Sequence, residues 1–290
     1  MKALPKTTLL RRLIHEGCIS MPGAFNAATA KLIERAGFPA VYVSGAGLAN
    51  ATAGVPDIGL LTLTEVARLA GYIAAAVSIP ALADADTGFG GPENAARTVR
   101  EFERAGLAGM HLEDQAFPKR CGHLTGKELV PAEEMAAKLS AAAGARSDAD
   151  FLIVARTDAR AVEGFDAAVE RARSYLAAGA DAVFPEALES EREFREFARR
   201  VRAPLMANMT EFGRSPLLSA RRLGSLGYRM VIYPQGAFRV AMHAEEAFLR
   251  YLKRRGSQKA WIESMQTRKD LYELLGYDPK RGDNPPEVKL

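Results

Sequence analysis

Only two cysteines, one tryptophan and four histidines occur among the 290 residues. Cys18 and Cys121 stand far apart and form neither a CxxC nor a zinc-type spacing, a pattern that suits a reducing cytoplasm. No apolar run is long enough to span a bilayer. Met1 to Leu13 is basic but lacks the continuous apolar core of a signal peptide. Nor does one sign of charge dominate: the formal net charge is +4, with acids interleaved among the lysines and arginines. That excludes an obvious nucleic-acid footprint, and neither a membrane nor a nucleic acid is expected as a partner. What remains is an ordinary globular composition, and residues 1–290 are expected to form a single domain.

Eight short apolar runs read as strands: Cys18 to Met21, Val41 to Ser44, Ala81 to Asp84, Gly109 to Glu113, Phe151 to Arg156, Ala182 to Phe184, Leu205 to Asn208 and Met230 to Tyr233. Segments of helical spacing follow them: Ala27 to Ala36, Thr64 to Val77, Pro92 to Ala105, Pro131 to Ala143, Phe165 to Ala178, Glu191 to Val201, Pro216 to Leu223 and Ala241 to Arg255. Several end at Ala-Gly, where glycine supplies a left-handed C-cap. Eight strand-then-helix units without a linker predict a (β/α)8 barrel. A further helix is predicted over Gln258 to Leu275, and Asp278 to Leu290, rich in charge and proline, is expected to be flexible.

In such barrels reactive groups collect at the C-terminal ends of the strands. Here those ends carry Ser44-Gly45, Asp84 and Asp86, Glu113-Asp114, Arg156, Glu186, and Asn208 with Thr210. Asp84 and Asp86, spaced by two, would project to one face of an extended strand and suit a hard cation such as Mg2+, which takes one or two carboxylates plus water and substrate oxygens. Lys119-Arg120-Cys121-Gly122-His123 sets a thiol among two cations and an imidazole. Neighbouring cations favour thiolate, so Cys121 is a candidate nucleophile, proton donor or metal ligand, and the cations suit a substrate carrying several carboxylates. Gln115 to Lys127 is longer than most βα loops, is polar and contains two glycines, so it is expected to act as a lid. The plainer readings make His111 a hydrogen-bonded residue of the barrel interior and Cys18 a small buried apolar residue, with Arg120 pointing away from the site.

Ser44-Gly45, Asp84 through Gly90, His111 through Gln115, Lys119 through His123, Ala155 through Ala159, Phe184 through Ala187 and Asn208 through Gly213 occur in an order that resembles the isocitrate lyase and phosphoenolpyruvate mutase superfamily. Within it the chain most resembles the 2-methylisocitrate lyase branch, over Met21 to Tyr277. The resemblance implies Mg2+-dependent cleavage of 2-methylisocitrate to pyruvate and succinate in propionate breakdown, with Mn2+ as the alternative cation. It implies metal ligation by Asp84 and Asp86, support through water by Asp57 and Glu113, and Cys121 as general acid. Substrate contacts would come from Ser44, Gly45, Ala46, Lys119, Gly122, His123, Arg156, Glu186, Asn208, Thr210, Arg239 and Arg268. The base that takes the hydroxyl proton stays unassigned, with Tyr42 and a metal-bound hydroxide as the two candidates. A homotetramer that exchanges C-terminal helices is also implied. The chain departs from the Ser-Gly-Gly that is common in the branch, with Ala46 in the last position, which puts the exact acid in doubt. Isocitrate lyase, or an enzyme acting on a related acid such as oxaloacetate, is the alternative. A catalytically silent scaffold would be expected to lose strand-end residues that are present here.

Overall fold

The eight apolar runs pair as parallel strands: β1 (Ile19–Ala24), β2 (Val41–Val43), β3 (Ala81–Asp84), β4 (Gly109–Glu113), β5 (Leu152–Thr157), β6 (Ala182–Pro185), β7 (Met206–Asn208) and β8 (Met230–Tyr233). The computed structural model describes residues 4–279, so 280–290 of the terminal stretch expected to be flexible lie outside it. The strand order is β6-β5-β4-β3-β2-β1-β8-β7, and a parallel bridge between Val183 and Leu205 joins the two ends into the predicted (β/α)8 barrel. The strands are buried on both sides, as parallel strands covered by helices must be.

The helices are α1 (Lys6–Glu16), α2 (Ala27–Arg35), α3 (Gly45–Leu48), α4 (Leu63–Ala76), α5 (Pro92–Arg104), α6 (Ala132–Gly144), α7 (Ala159–Val162), α8 (Phe165–Ala177), α9 (Glu191–Arg200), α10 (Ala220–Ser225), α11 (Gly236–Arg255) and α12 (Arg268–Leu275). Most match the periodic segments within a few residues. The expectation failed in three ways. Helices α1, α3 and α7 are additions; α3 continues into a π-helical turn, Ala49–Ala53. Helix α10 begins at Ala220 because Ser219 caps it, its hydroxyl accepting from the Arg222 N–H at 3.2 Å. The helix predicted over Gln258 to Leu275 is two pieces: a 3-10 turn, Lys259–Ser264, and then α12, which Thr267 and Asp270 start afresh with a reciprocal capping box.

Side chains two apart along a strand share a face, and this period builds the interior in layers. Tyr42, Leu82, Val154, Phe184, Met206 and Ile232 are buried in one inner cluster. Two residues further along β3, β5 and β7 the chain reaches Asp84, Arg156 and Asn208, and two beyond Phe184 it reaches Glu186. The barrel is thus apolar below and charged at its C-terminal rim. Leu10 and Ile14 of α1 belong to the same inner cluster and close its lower end. Truncating Leu10, which is fully buried, to alanine should cost about 2–5 kcal/mol of stability. Urea unfolding checks this, as a lowered midpoint at an unchanged slope; an unchanged midpoint would mean that α1 does not hold the barrel floor.

Candidate active site

At the C-terminal rim, Arg156 at the end of β5 is the buried cation around which the carboxylates gather. Its Nε lies 2.9 Å from Asp158 Oδ2 and 3.3 Å from Glu113 Oε2, and its Nη2 lies 3.3 Å from Glu186 Oε2. The guanidinium also stands 5.1 Å from the centre of the Phe184 ring, a cation–π distance. Burial disfavours its charge, but Asp158, Glu113 and Glu186 outweigh burial and hold its pKa well above the usual value. Burial likewise pushes Glu186 up, yet Arg156 and His123 leave it below the usual carboxylate range.

The acids near β3 are differently placed. Strand β3 ends at Asp84, and the next turn carries Asp86 at φ +46°, so the two carboxylates do not share a strand face as the spacing predicts. The Asp86 N–H donates to Asp84 Oδ1 at 3.0 Å, which ties the turn back on the strand end. Gly45 makes room here: a β-carbon on it would stand 2.8 Å from Asp84 Oδ2. Lys119 of the lid reaches into this acidic group, donating to Asp57 and lying 2.7 Å from Asp86 Oδ1. Burial raises the pKa of Asp84, Asp86 and Glu113, with Asp86 brought to about 6; Lys119 opposes the rise at Asp84 and Asp86, and Arg156 then Lys119 oppose it at Glu113.

These residues fit a hard dication. Asp57, Asp84, Asp86, Glu113, Asp158 and Glu186 outnumber the permanent cations Lys119, Lys127 and Arg156 among them, and Glu113 Oε1 is buried without a hydrogen-bond partner. Among the described residues no three His, Cys, Asp or Glu side chains gather closely enough to hold an ion by themselves. An ion here would therefore complete its shell with water or substrate oxygens, as Mg2+ commonly does.

His111 is a barrel-interior residue, as its plainer reading has it. It is fully buried, its Nε2 lies 2.8 Å from the Tyr42 hydroxyl, and burial followed by the Arg156 charge lowers its pKa to about 3. Tyr42 is pushed well above its ordinary pKa, first by burial and then by Asp84, which argues against a phenolate base.

The loop between β4 and α6, expected to act as a lid, is pinned at both ends. Gln115 bridges Leu129 in antiparallel fashion, and the Ala116 N–H donates to the Glu128 carbonyl at 2.8 Å. Inside the loop the Gln115 side chain brackets the Arg120 backbone, donating to its carbonyl and accepting its N–H, each at 2.9 Å. Lys127 is buried and donates to the Gly122 carbonyl and to Asp158 Oδ1, the latter at 2.7 Å. Gly122 lies so tightly on Arg156 and Glu186 that a β-carbon would collide with both. His123 Nδ1 accepts from the Arg214 backbone N–H at 2.9 Å, which leaves the proton of the neutral ring on Nε2, 3.0 Å from Glu186 Oε1. Arg120 is exposed, although its chain lines the cavity mouth.

A cavity of about 60 Å³ is enclosed by the lid and the rim. Ser44, Ala46, Asp57, Asp84, Lys119, Cys121, Gly122, His123, Arg156, Glu186, Asn208 and Thr210 line it, with Tyr42, Phe184, Ile232 and Pro234. Asp86 and Lys119 also face a larger neighbouring cavity of about 730 Å³, bounded by the loops after β2, β3 and β4. Cys121 has an exposed side. The cations of its own motif do not depress its pKa, because Lys119 turns to Asp57 and Asp86. Loss of hydration against the wall raises it, the His123 backbone N–H and Arg156 oppose this, and Glu186 adds to it. The group is a thiol, contrary to the thiolate that the motif alone favours.

Two expected substrate residues are not brought in by this chain. Arg239 lies outside the cavity lining, 3.5 Å from Glu211 and over the Phe212 ring. Arg268 opens α12, which packs against α2. The sequence reading in turn missed Lys127 and Asp158 as a buried pair, and it placed Asp114 at a strand end without its role, which is to accept from Thr157 and from Tyr175 at 2.8 Å each and fix the loop beneath. Their one sequence signal is the polar strand-end position of Asp114 and Asp158.

The sequence profile of the phosphoenolpyruvate phosphomutase family matches residues 10–252. A curated relative from Aeropyrum pernix, named 2-methylisocitrate lyase, is 53% identical over 270 residues, which cover 93% of this chain and 87% of that protein. The crystal structure of a 2,3-dimethylmalate lyase, described as a PEP mutase/isocitrate lyase superfamily member, matches with a TM-score of 0.89 at 35% identity, over 94% of this chain and 92% of that one. A phosphonopyruvate hydrolase solved with oxalate and Mg2+ matches with a TM-score of 0.85 at 33% identity, over 94% and 95% of the two chains. Sequence profile, identity and barrel agree: the chain belongs to the phosphoenolpyruvate phosphomutase family, in the superfamily that also holds isocitrate lyase.

Proposed function

We propose that the protein is a 2-methylisocitrate lyase, cleaving its substrate to pyruvate and succinate, and that the barrel with its C-terminal helices works as one domain. The observation that carries this reading is the placement of Cys121, on the loop between β4 and α6, at a small cavity lined by the buried charges around Arg156. Similarity to relatives named for the same reaction supports it.

Cleavage begins when a base at the rim takes the substrate's hydroxyl proton, which it holds until the thiol is restored; the carbon–carbon bond then breaks, and its electron pair passes to a carbon conjugated with a carboxylate. Asp84 and Asp86 would hold Mg2+, supported through water by Asp57 and Glu113, and the ion would supply Lewis acidity toward the hydroxyl and the adjacent carboxylate. Arg156, His123, Asn208 and Thr210 face the departing fragment and stabilise its extra negative charge. Ser44, Gly45, Ala46, Lys119 and Gly122 shape the carboxylate pockets, with Glu186 holding Arg156 and His123 in place. Cys121 Sγ–H gives its proton to the carbanion and completes succinate, and the thiol is restored by the proton taken from the hydroxyl. Closure keeps bulk water from protonating the carbanion first. Phe184, Ile232 and Pro234 give the lining apolar surface, which suits a substrate methyl group.

Arg239 and Arg268 join a substrate site, on this reading, only through a second copy of the chain. Helices α11 and α12 carry no buried residue, and Val240, Leu249 and Ile262 are 72%, 59% and 56% exposed. An apolar face of this kind asks for a partner, and a homotetramer exchanging these helices would supply it. No helix among the described residues is long and apolar enough to cross a membrane, and a cytoplasmic location agrees with two distant cysteines that form no disulfide.

Cys121→Ser should lower turnover of 2-methylisocitrate by about 10²–10⁴-fold, the usual contribution of a positioned acid, while Mg2+ binding is retained. Product analysis for parent and variant, with isocitrate as the competing substrate, checks this; equal rates would remove the thiol from the mechanism. A second expectation concerns pH. A carboxylate whose folded pKa is raised to about 6 costs stability once the pH passes its unfolded value near 3.8, and the full cost is present above pH 6. Mg2+ binds the ionised form and offsets that cost, so the rise in Tm on adding Mg2+ should be large at about pH 8 and small at about pH 5. Calorimetric melts read it; equal rises at both would place the ion away from Asp86.

A further inference from the structure

The Cys121-bearing lid is fastened to the rim at four points. Lys127 on Asp158, Lys119 on Asp57 and Asp86, and His123 Nε2 at 3.0 Å from Glu186 Oε1 are buried anchors. The fourth is at the open rim, where the loop after β7 meets His123. There the Arg214 backbone N–H donates to His123 Nδ1 at 2.9 Å, and its side-chain Nε donates to the His123 carbonyl at 3.2 Å. The same guanidinium reaches Glu189, on the loop after β6, at 3.4 Å.

The backbone around this contact is shaped for close approach. Phe212 holds φ +59°, a conformation that side chains other than glycine rarely adopt, and its ring is 92% exposed, so burial of the ring does not explain the strain. A β-carbon on Gly213 would stand 2.7 Å from His123 Nδ1, so only glycine lets the loop sit this close. The strained turn thus presents the Arg214 N–H to the lid.

We propose that Arg214 is the latch of the lid: its guanidinium ties His123 of the lid to Glu189 of the barrel and so sets how much of the time Cys121 stands over the cavity. It is a positioning residue, since it does not line the cavity, and its effect on turnover rests on the reading of Cys121 as proton donor. Being partly exposed, it is the fastening that water competes for, so it is the one that opens first.

The test is amide hydrogen exchange in the full chain without substrate, comparing the parent with Arg214→Ala and Arg214→Lys. Charge-assisted hydrogen bonds at a half-exposed site predict that alanine speeds exchange across residues 117–128 by about tenfold, with the strands unchanged. Lysine, able to reach the His123 carbonyl or Glu189 but not both, should fall between. Unchanged lid exchange would overturn the proposal, and so would acceleration spread evenly through the barrel with a lowered Tm, which marks general destabilisation. A second arm measures 2-methylisocitrate turnover: the alanine variant should lose about tenfold in kcat, with the Mg2+ dependence unmoved. Faster lid exchange in a protein that does not turn over this acid would keep the latch and refute the substrate.

Discussion

The site depends on one buried guanidinium. Without Arg156, the carboxylates of Glu113, Asp158 and Glu186 would face one another in a medium that solvates charge poorly, and each would protonate. With it, Glu186 stays ionised and orients the His123 ring, Asp158 stays ionised and holds Lys127, and Lys127 in turn grips the Gly122 carbonyl. The position of the lid is therefore transmitted from a residue that is not on the lid. Loss of Arg156 would neutralise at once the carboxylates that hold His123 and Lys127, so it is the least replaceable side chain of the rim.

A second balance governs chemistry. The rim has more buried acid than base, although the proposed substrate is itself a polyanion. A dication among the acids would reconcile the two, since it would reverse the local charge where the proposed substrate's own carboxylate and hydroxyl would sit. The same balance explains Cys121. Its neighbours in sequence are cationic, but its neighbours in space include Glu186 as well as Arg156, and partial loss of hydration then keeps the proton on sulfur.

Much of this was legible in the sequence, for a physical reason. Strands buried on both faces must be apolar along their length, and the change to polar residues at their upper ends marks the rim, so Asp84, Arg156, Glu186 and Asn208 could be read directly. Helix starts set by caps were harder, as the break before Thr267 shows, because a capping box can interrupt a run that keeps its helical spacing. Least legible were contacts between loops. Nothing local in Lys127 or Asp158 announces their pairing, and the turn that carries Asp86 away from its strand depends on a hydrogen bond to Asp84. The protonation of Cys121 was left open by the sequence for a related cause: sequence proximity to cations is a poor guide to which charges a side chain meets after folding.

The layering of the interior has a consequence for inheritance. The lower layers, Leu82, Val154, Met206 and their neighbours, specify the barrel, while the residues two positions later specify the reaction. The apolar packing below is built without the upper layer, apart from the contact of Arg156 on Phe184, so a lineage can exchange one chemistry for another without first surviving a loss of fold. Proteins named as lyases, hydrolases and a mutase at about one-third identity on this same barrel are what such decoupling produces.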